Sequence, residues 1–184
     1  MGRPKQLLPI DGVPMLVRMI NTARAAGCRP IVVVLGRDAA ACRALVAGDD
    51  VLLPTNAEWE TGIGSSLRIG ANALPDDIDA AFVLLCDQPG VTTATLTRLS
   101  AAADEKQAAV AVASYAETLG PPVRINADYL SLLRQWPDAH GAKRLWMERP
   151  SDVVRVDCPE AAFDVDTPDD YAAITAVPPT DEAQ

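Results

Sequence analysis

An acidic side chain follows an apolar run in a pattern that suits cation binding. Residues 81–85 read Ala-Phe-Val-Leu-Leu, and Cys86, Asp87, Gln88 and Pro89 follow directly. Ligands of open α/β sheets bind outside the carboxyl ends of the strands, where this aspartate would lie. Mg²⁺ prefers oxygen ligands and is commonly held by one or two carboxylates together with substrate phosphates. Asp87 is therefore a candidate metal ligand, and an aspartate that only ends a strand and turns the chain is the equal alternative.

A second acidic segment, residues 163–170, reads Phe-Asp-Val-Asp-Thr-Pro-Asp-Asp. In an extended chain alternate side chains point the same way, so Asp164 and Asp166 could both face the metal site. The segment also suits a helix start. Thr167 is a favourable N-cap, Pro168 fits the first helical position, and acidic side chains favour a helix N terminus. Both interpretations stay open from the sequence.

Other segments have the residue types of ligand-binding loops. Residues 60–68 combine two glycines with hydroxyl side chains before a predicted helix, whose first N–H groups could hold a phosphate. A flexible turn with an N-cap is the alternative. Lys5 could add positive charge, although most lysines are solvated surface residues. A surface-loop role suits His140, the single histidine, better than catalysis. The candidate substrate-loop residues are Gly120, Pro121, Pro122, Gly141 and Lys143.

The composition fits one globular domain and excludes two classes of partner. The 184 residues are 49% apolar and 22% charged but only 4% aromatic, so the core must be built from Leu, Val, Ile and Ala. The formal net charge is −9, which provides no electrostatic footprint for nucleic acid or for an anionic membrane. Binding of a single nucleotide is still compatible with this net charge, because a phosphate site needs only local charge and main-chain N–H groups.

The cysteines indicate a reducing compartment. Cys28, Cys42, Cys86 and Cys158 are far apart, no C-x-x-C pair occurs and only one histidine is present, so zinc-site spacing is absent. Reduced thiols are the expected state. No apolar stretch is long enough to span a bilayer, and the residues after Met1 do not lead into a signal-peptide core. We expect a cytoplasmic protein without a membrane partner.

Apolar runs alternate with amphipathic segments along the chain, as in βαβ architectures. Because the strand candidates are continuously apolar, we expect them to be covered on both faces in a mostly parallel sheet. The predicted strands are residues 31–35, 51–53, 81–85, 109–113, 122–125 and 153–156. The predicted helices are residues 15–26, 38–46, 65–74, 92–103, 127–135, 142–148 and 169–176.

The domain organisation is predicted to be simple. We expect one domain over residues 1–176 and a loose tail over residues 177–184, which are acidic and contain proline. Doubly wound sheets usually have a central first strand followed by a phosphate-binding loop. Nothing strand-like precedes residues 2–5, so we expect the chain to lack that strand and its glycine-rich loop.

Four segments, taken in order, resemble the MobA-like nucleotidyltransferases and, among these, the molybdenum cofactor cytidylyltransferases. They are residues 1–9, 56–67, 86–89 and 164–171. The resemblance covers nearly the whole chain and implies a Rossmann-like three-layer sheet flanked by helices. It also implies Mg²⁺-dependent transfer of a nucleoside monophosphate, with CTP the favoured donor, onto a phosphorylated pterin with release of pyrophosphate.

The resemblance assigns roles to particular residues. The family's phosphate-binding lysine corresponds to Lys5, its metal-binding aspartate to Asp87, and a second metal-site aspartate to Asp166. An acceptor phosphate oxygen would attack the α-phosphorus in line, so that the protein contributes positioning and charge rather than covalent chemistry. The residues that correspond to a nucleotide-contacting segment are Asn56, Gly64, Ser65 and Ser66.

The sequence also departs from the family pattern. Family members carry a strand and a Leu-Ala-Ala-Gly-x-x-x-Arg loop directly before Met-Gly. Their acceptor loop reads Gly-His-Pro, whereas residues 120–122 of this chain read Gly-Pro-Pro. They also have a glycine before the metal-binding aspartate, where this chain has Cys86. Two alternatives therefore stay open. One is transfer to another phosphorylated acceptor, such as a sugar phosphate, and the other is a non-catalytic relative that binds a nucleotide or a partner protein. The family function would add a molybdoenzyme or a chaperone as a partner.

Overall fold

The computed structural model describes residues 4–46, 48, 50–137 and 143–176. The strands are Pro9–Ile10 (β1), Val13–Pro14 (β2), Ile31–Val32 (β3), Val51–Leu52 (β4), Ala80–Val83 (β5), Val110–Tyr115 (β6), Thr118–Asn126 (β7) and Val153–Asp157 (β8). The helices are Met15–Ala25 (α1), Ala39–Leu45 (α2), Ile63–Ala73 (α3), Thr93–Lys106 (α4), Ala127–Leu133 (α5), Lys143–Met147 (α6) and Pro168–Thr175 (α7).

Every predicted strand and helix overlaps an observed one, and the β1–β2 hairpin is the main addition. The predicted tail over residues 177–184 lies outside the described residues. None of the helices in the described ranges combines the length and the apolar character that a membrane span needs.

The largest sheet is mixed, which corrects the prediction of a mostly parallel sheet. Its strand order is β5-β7-β6-β8, with β7 antiparallel to both neighbours and β6 parallel to β8. Only Ala116 and Glu117, both with positive φ, connect β6 to β7. A two-residue connection of this kind closes an antiparallel hairpin, whereas a parallel crossover needs a dozen residues or more.

Helices cover both faces of this sheet. Alternate residues of a strand point to opposite faces, and β6 divides its side chains in that way. Val110 and Val112 are buried in a cluster with residues of α3 and α5, while Ala111 and Ala113 are buried in a cluster with residues of α4. The predicted α/β architecture, with a sheet between two helical layers, is confirmed.

The parallel pair β3–β4 forms a second, smaller sheet. It packs with α1 and α2 in a cluster of apolar side chains that also contacts Leu84 and Cys86, just beyond β5. Among the described residues, no ladder of main-chain hydrogen bonds joins this pair to the four-stranded sheet. Val32 of β3 and Phe82 of β5 are half-buried.

The β1–β2 hairpin connects the beginning of the chain to its last helix. Asp11 and Gly12 form its turn, with φ of 50° and 78°, which is the left-handed geometry of tight hairpin turns. Ile10, at the hairpin, is buried together with Val165, and α7 packs against them. The Tyr171 hydroxyl of α7 donates a hydrogen bond to the Pro9 carbonyl at 2.5 Å. This contact brings the two ends of the described chain side by side.

The side chain of one arginine caps the C terminus of α3. The guanidinium of Arg134 donates to the main-chain carbonyls of Ala71, Leu74 and Pro75 at 3.3, 3.1 and 2.9 Å, and it also pairs with the Asp76 carboxylate. The last carbonyls of a helix have no intrahelical partner, so this side chain satisfies acceptors that the helix itself cannot.

We predict that Arg134→Met lowers the free energy of unfolding by about 2 to 3 kcal/mol, because hydrogen bonds from a charged donor are lost and carbonyls are left without partners. Urea unfolding measures the change. Arg144→Met is the matched control, because within the described part of the chain Arg144 pairs with Glu148 alone, on the surface one turn away, and such a pair contributes less than about 0.5 kcal/mol. Equal losses in the two variants would contradict the capping role.

Candidate functional site

One ammonium group lies between two carboxylates that are distant in sequence. Lys5 Nζ is 2.5 Å from Asp87 Oδ2 and 2.6 Å from Asp166 Oδ1. The aspartates stand 82 and 161 positions away from the lysine along the chain. The exposed fraction of the side chain is 16% for Asp87 and 66% for Asp166, so the group extends from the protein interior to solvent.

Asp87 is positioned by the strand before it and by a main-chain contact. Its strand, β5, ends at Val83, and the next residues pack against the helical layer. The Asp87 carbonyl accepts a hydrogen bond from the Val165 N–H at 2.9 Å. The acidic segment near the end of the chain is therefore bound directly beside the carboxyl end of β5.

The acidic segment begins helix α7, as one sequence interpretation predicts, and it also brings Asp166 to Lys5. Val165 is fully buried, while its neighbours Asp164 and Asp166 are exposed. Thr167 caps α7: its hydroxyl accepts from the Asp170 N–H, and the Asp170 carboxylate accepts from the Thr167 N–H. This capping box holds the chain at the point where Asp166 reaches Lys5.

The electrostatics of the group follow from its burial and its charges. Burial alone would lower the pKa of Lys5, but hydrogen bonds and attraction from Asp166 and Asp87 outweigh it and raise the pKa well above its ordinary value. The lysine is therefore positively charged at neutral pH. Burial, followed by the nearby charge of Asp87, raises the pKa of Asp164.

The group has the donor chemistry of a Mg²⁺ or Mn²⁺ site. Asp87 Oδ1 is buried, and within the described part of the chain it has no hydrogen-bond partner, so a strong acceptor is left for a cation. Among the described residues, no group of three or more His, Cys, Asp or Glu side chains is arranged so that it could hold a metal ion. Two carboxylates suffice for Mg²⁺, which takes its other ligands from water and phosphate oxygens. Asp87 and Asp166 therefore fit such an ion.

The predicted nucleotide-contacting residues form a separate, internally bonded cluster. Asn56 is buried, and its side-chain amide donates to the hydroxyls of Ser65 and Ser66 at 2.8 and 3.0 Å. Its carbonyl oxygen accepts from the Glu58 N–H at 2.9 Å. Gly64 is buried in the first turn of α3, which leaves main-chain N–H groups without intrahelical partners. Their contact with a nucleotide stays a prediction.

This cluster is not in direct contact with the lysine. Across residues 4–46, 50–137 and 143–176, no hydrogen bond or ion pair joins Asn56, Ser65 or Ser66 to Lys5 or to its two aspartates.

The predicted substrate-loop residues lie in different places. Gly120, Pro121 and Pro122 were predicted to belong to a loop, but they lie within β7. The β6–β7 register shifts there, so that Val112 opposes Val123 but Ala113 opposes Gly120, and the prolines occupy an irregularity in the ladder. Prolines are tolerated in such a place because they have no N–H to donate.

The second predicted substrate loop is described only in part. Lys143 begins α6, and its ammonium is 3.2 Å from the Thr118 hydroxyl. Gly141 and His140 lie outside the described residues.

Two site-supporting residues were not identified from the sequence. Gln88 is buried, and its amide donates to the Tyr115 hydroxyl at 3.2 Å and to the Ala161 carbonyl at 2.9 Å. Burial raises the pKa of Tyr115, so its hydroxyl keeps the proton that it donates to the Pro121 carbonyl at 3.0 Å. The position of Gln88 beside Asp87 was a usable signal, whereas nothing local distinguishes Tyr115.

We predict that Asn56→Ala lowers the free energy of unfolding by about 2 to 3 kcal/mol, because buried hydrogen-bond partners lose their contacts. Thermal and urea unfolding measure the loss. Asn72→Ala is the control, since Asn72 is exposed and donates only to the carbonyls of Arg68 and Arg134. If Asn56→Ala is as stable as the control, the internal cluster does not support the loop.

Comparison with known proteins places this geometry in a family. The sequence model of the MobA-like NTP transferase domain matches residues 1–153. Over 100 residues, the chain is 40% identical to the bifunctional protein GlmU of Chromobacterium violaceum, which corresponds to 54% of this chain and 22% of that protein. The chain thus spans about a fifth of the length of the curated relatives that it matches.

Solved structures share the fold over nearly the whole chain. Rv0371c from Mycobacterium tuberculosis H37Rv is 30% identical with a TM-score of 0.76, and the match covers 96% of this chain and 91% of that one. Its complex with manganese is 31% identical with a TM-score of 0.72, covering 96% and 94%. A nucleotidyl transferase from Methanothermobacter thermautotroptrophicus is 25% identical with a TM-score of 0.78, covering 94% and 83%.

These matches confirm two predictions from the sequence, the family resemblance and the Rossmann-like α/β fold. The family match extends over most of the chain and includes Lys5, Asp87 and the Asn56 cluster. Because the family's sequence model matches residues 1–153 and solved structures share the fold at about 30% identity, the chain belongs to the MobA-like NTP transferase domain family.

Proposed function

We propose that the chain forms a divalent-cation-dependent nucleotidyltransferase that moves CMP from CTP onto a phosphorylated pterin and releases pyrophosphate. The observation that carries the proposal is the convergence of Lys5, Asp87 and Asp166 at the carboxyl end of β5. An ammonium group beside two oxygen donors provides what a triphosphate needs, namely positive charge and carboxylates for its accompanying cation.

The chemistry asked of these residues is positioning and charge compensation. Asp87 and Asp166 would hold the cation, which when bound neutralises charge on the triphosphate and on the departing pyrophosphate. Lys5, released from the carboxylates, would bind phosphate oxygens. A phosphate oxygen of the acceptor then attacks the α-phosphorus in line, one P–O bond forms as another breaks, and no covalent enzyme intermediate is needed.

The substrate assignment rests on the motif resemblance. The loop from Trp59 to Leu67 resembles the cytidylyl members of the family, which favours CTP. The manganese complex of Rv0371c supports a divalent cation for its relatives. Mg²⁺ as the physiological ion, a cytoplasmic location, and a molybdoenzyme or chaperone as recipient of the product belong to the same proposal.

A transfer assay tests the proposal directly. The full chain is incubated with Mg²⁺, a molybdopterin acceptor and either CTP or GTP, and pyrophosphate release is followed. We expect CTP to react faster by at least about 10-fold, because a pocket that pairs with one base leaves polar groups unsatisfied with another. Asp87→Asn should lower the rate by about 100-fold or more, since charge stabilisation at the phosphates is lost.

Each other outcome of that assay has a defined meaning. Faster reaction with GTP reverses the choice of base and keeps the class of enzyme. Reaction with a sugar phosphate but not with the pterin replaces the acceptor. If neither nucleotide reacts with either acceptor, the enzymatic proposal fails, and binding of a nucleotide or partner without catalysis takes its place.

A second prediction concerns metal affinity without nucleotide. The ammonium of Lys5 occupies the carboxylate oxygens that a cation would use, so the lysine and the cation compete. Lys5→Met should therefore tighten Mn²⁺ binding by about 10-fold, which corresponds to about 1.4 kcal/mol of relieved competition. Free Mn²⁺ is measured by electron paramagnetic resonance during titration.

The matched control for that titration is Lys106→Met, which removes the same charge from a surface pair with Glu105. Its Mn²⁺ affinity should remain near that of the unmodified chain. Unchanged or weaker Mn²⁺ binding by Lys5→Met would show that the ion does not bind between these carboxylates.

A further inference from the structure

A chain of hydrogen bonds connects the loop that carries Asp87 to the irregular segment of β7. It begins at the Gln88 side-chain amide, passes through the Tyr115 hydroxyl at 3.2 Å and ends on the Pro121 carbonyl at 3.0 Å. Gln88 is 1% exposed, so solvent does not replace these contacts. The residue next to the predicted metal ligand is thus bound to a segment on another strand.

The Tyr115 hydroxyl also determines which residue can stand at position 120. A β-carbon added at Gly120 would lie 2.6 Å from the Tyr115 oxygen, which is too close for two non-bonded atoms, while the nearest ring carbon is 3.5 Å away at ordinary contact distance. A side chain at this position would therefore collide with one oxygen atom unless Tyr115 shifted. The next two residues are prolines and have no N–H with which to hold the segment.

Gln88 is itself fixed from its other side. Its amide also donates to the Ala161 carbonyl at 2.9 Å, in the turn just before the acidic segment. Gly90, two residues after Gln88 in the same loop, lies very close to this turn. A β-carbon added there would come 2.3 Å from the Glu160 carbonyl oxygen. Tyr115 thus contacts a loop that cannot shift without moving the turn.

We propose that Tyr115 is a positioning residue that holds the Gly120–Pro122 segment at a fixed distance from Asp87 and thereby sets the affinity for the phosphorylated acceptor. The proposal rests on the proposed function, because it takes that segment as the acceptor-binding part of the site. The hydroxyl is bonded at both ends within the protein, so it acts on the acceptor through the segment and not by contact.

The test compares two tyrosines whose hydroxyls form hydrogen bonds within the protein, two for Tyr115 and one for Tyr129. Tyr115→Phe removes the link to Gln88 and Pro121, and Tyr129→Phe removes a hydroxyl that bonds Asp152 at 2.9 Å in the cluster on the opposite face of the sheet. We expect Tyr115→Phe to raise the KM for the acceptor about 10-fold, because the link between Gln88 and Pro121 is lost, with the KM for CTP within about 2-fold of the original. Tyr129→Phe should lower the melting temperature similarly and leave both KM values unchanged.

A double-mutant cycle gives a readout that does not depend on turnover. Gly120→Ala alone should lower the melting temperature, because the new methyl group meets the Tyr115 oxygen. In the Tyr115→Phe background that oxygen is absent, so the same substitution should cost much less, and the two changes should be strongly non-additive. Additive losses would show that the hydroxyl does not fill this space, and they would overturn the proposal.

The kinetic outcomes separate this proposal from the function on which it rests. Equal acceptor KM values for Tyr115→Phe and Tyr129→Phe, with the unmodified chain active, would overturn the positioning role and leave the transferase function standing. If the unmodified chain transfers no nucleotide, the proposed function fails and the positioning role fails with it.

Discussion

The ion pairs of Lys5 with Asp87 and Asp166 are the constraint on which the site depends. A carboxylate as buried as that of Asp87 is costly without a compensating charge, and the lysine supplies it. Compensation requires that the beginning of the chain and the segment before α7 both lie beside the end of β5. The apolar contact of Ile10 with Val165 and the bond from Tyr171 to Pro9 provide that arrangement by packing rather than by charge.

Main-chain and buried polar contacts hold the surrounding loop more firmly than the ion pairs could alone. The carbonyl of Asp87 is bound by the Val165 N–H, and Gln88 is bound on two sides. On the proposed function, such contacts would let the carboxylate exchange the lysine ammonium for a metal ion while its position is kept. The proposed transfer of a charged group would require this combination of a fixed loop and exchangeable ion pairs.

The division of the strands into two sheets affects how strictly the distance between the Asn56 cluster and Asp87 is fixed. The Asn56 N–H donates to the Leu35 carbonyl at 2.7 Å, just beyond β3 of the smaller sheet, while Asp87 follows β5 of the larger sheet. Within the described residues these sheets meet through side chains of α1 and through Leu84 and Cys86. Apolar packing sets a distance less strictly than a hydrogen-bonded ladder does, because a ladder also fixes register.

The sequence by itself determined the features that depend on neighbouring residues. The apolar run before Asp87, the helical periodicity of α1 and the Thr167 cap are local, and each was predictable. The direction of β7, the burial of Asn56 and the role of Tyr115 were decided only by the tertiary structure. Each depends on contacts between segments far apart in the chain. Local propensity contains no information about which distant strand or hydroxyl will contact a given residue.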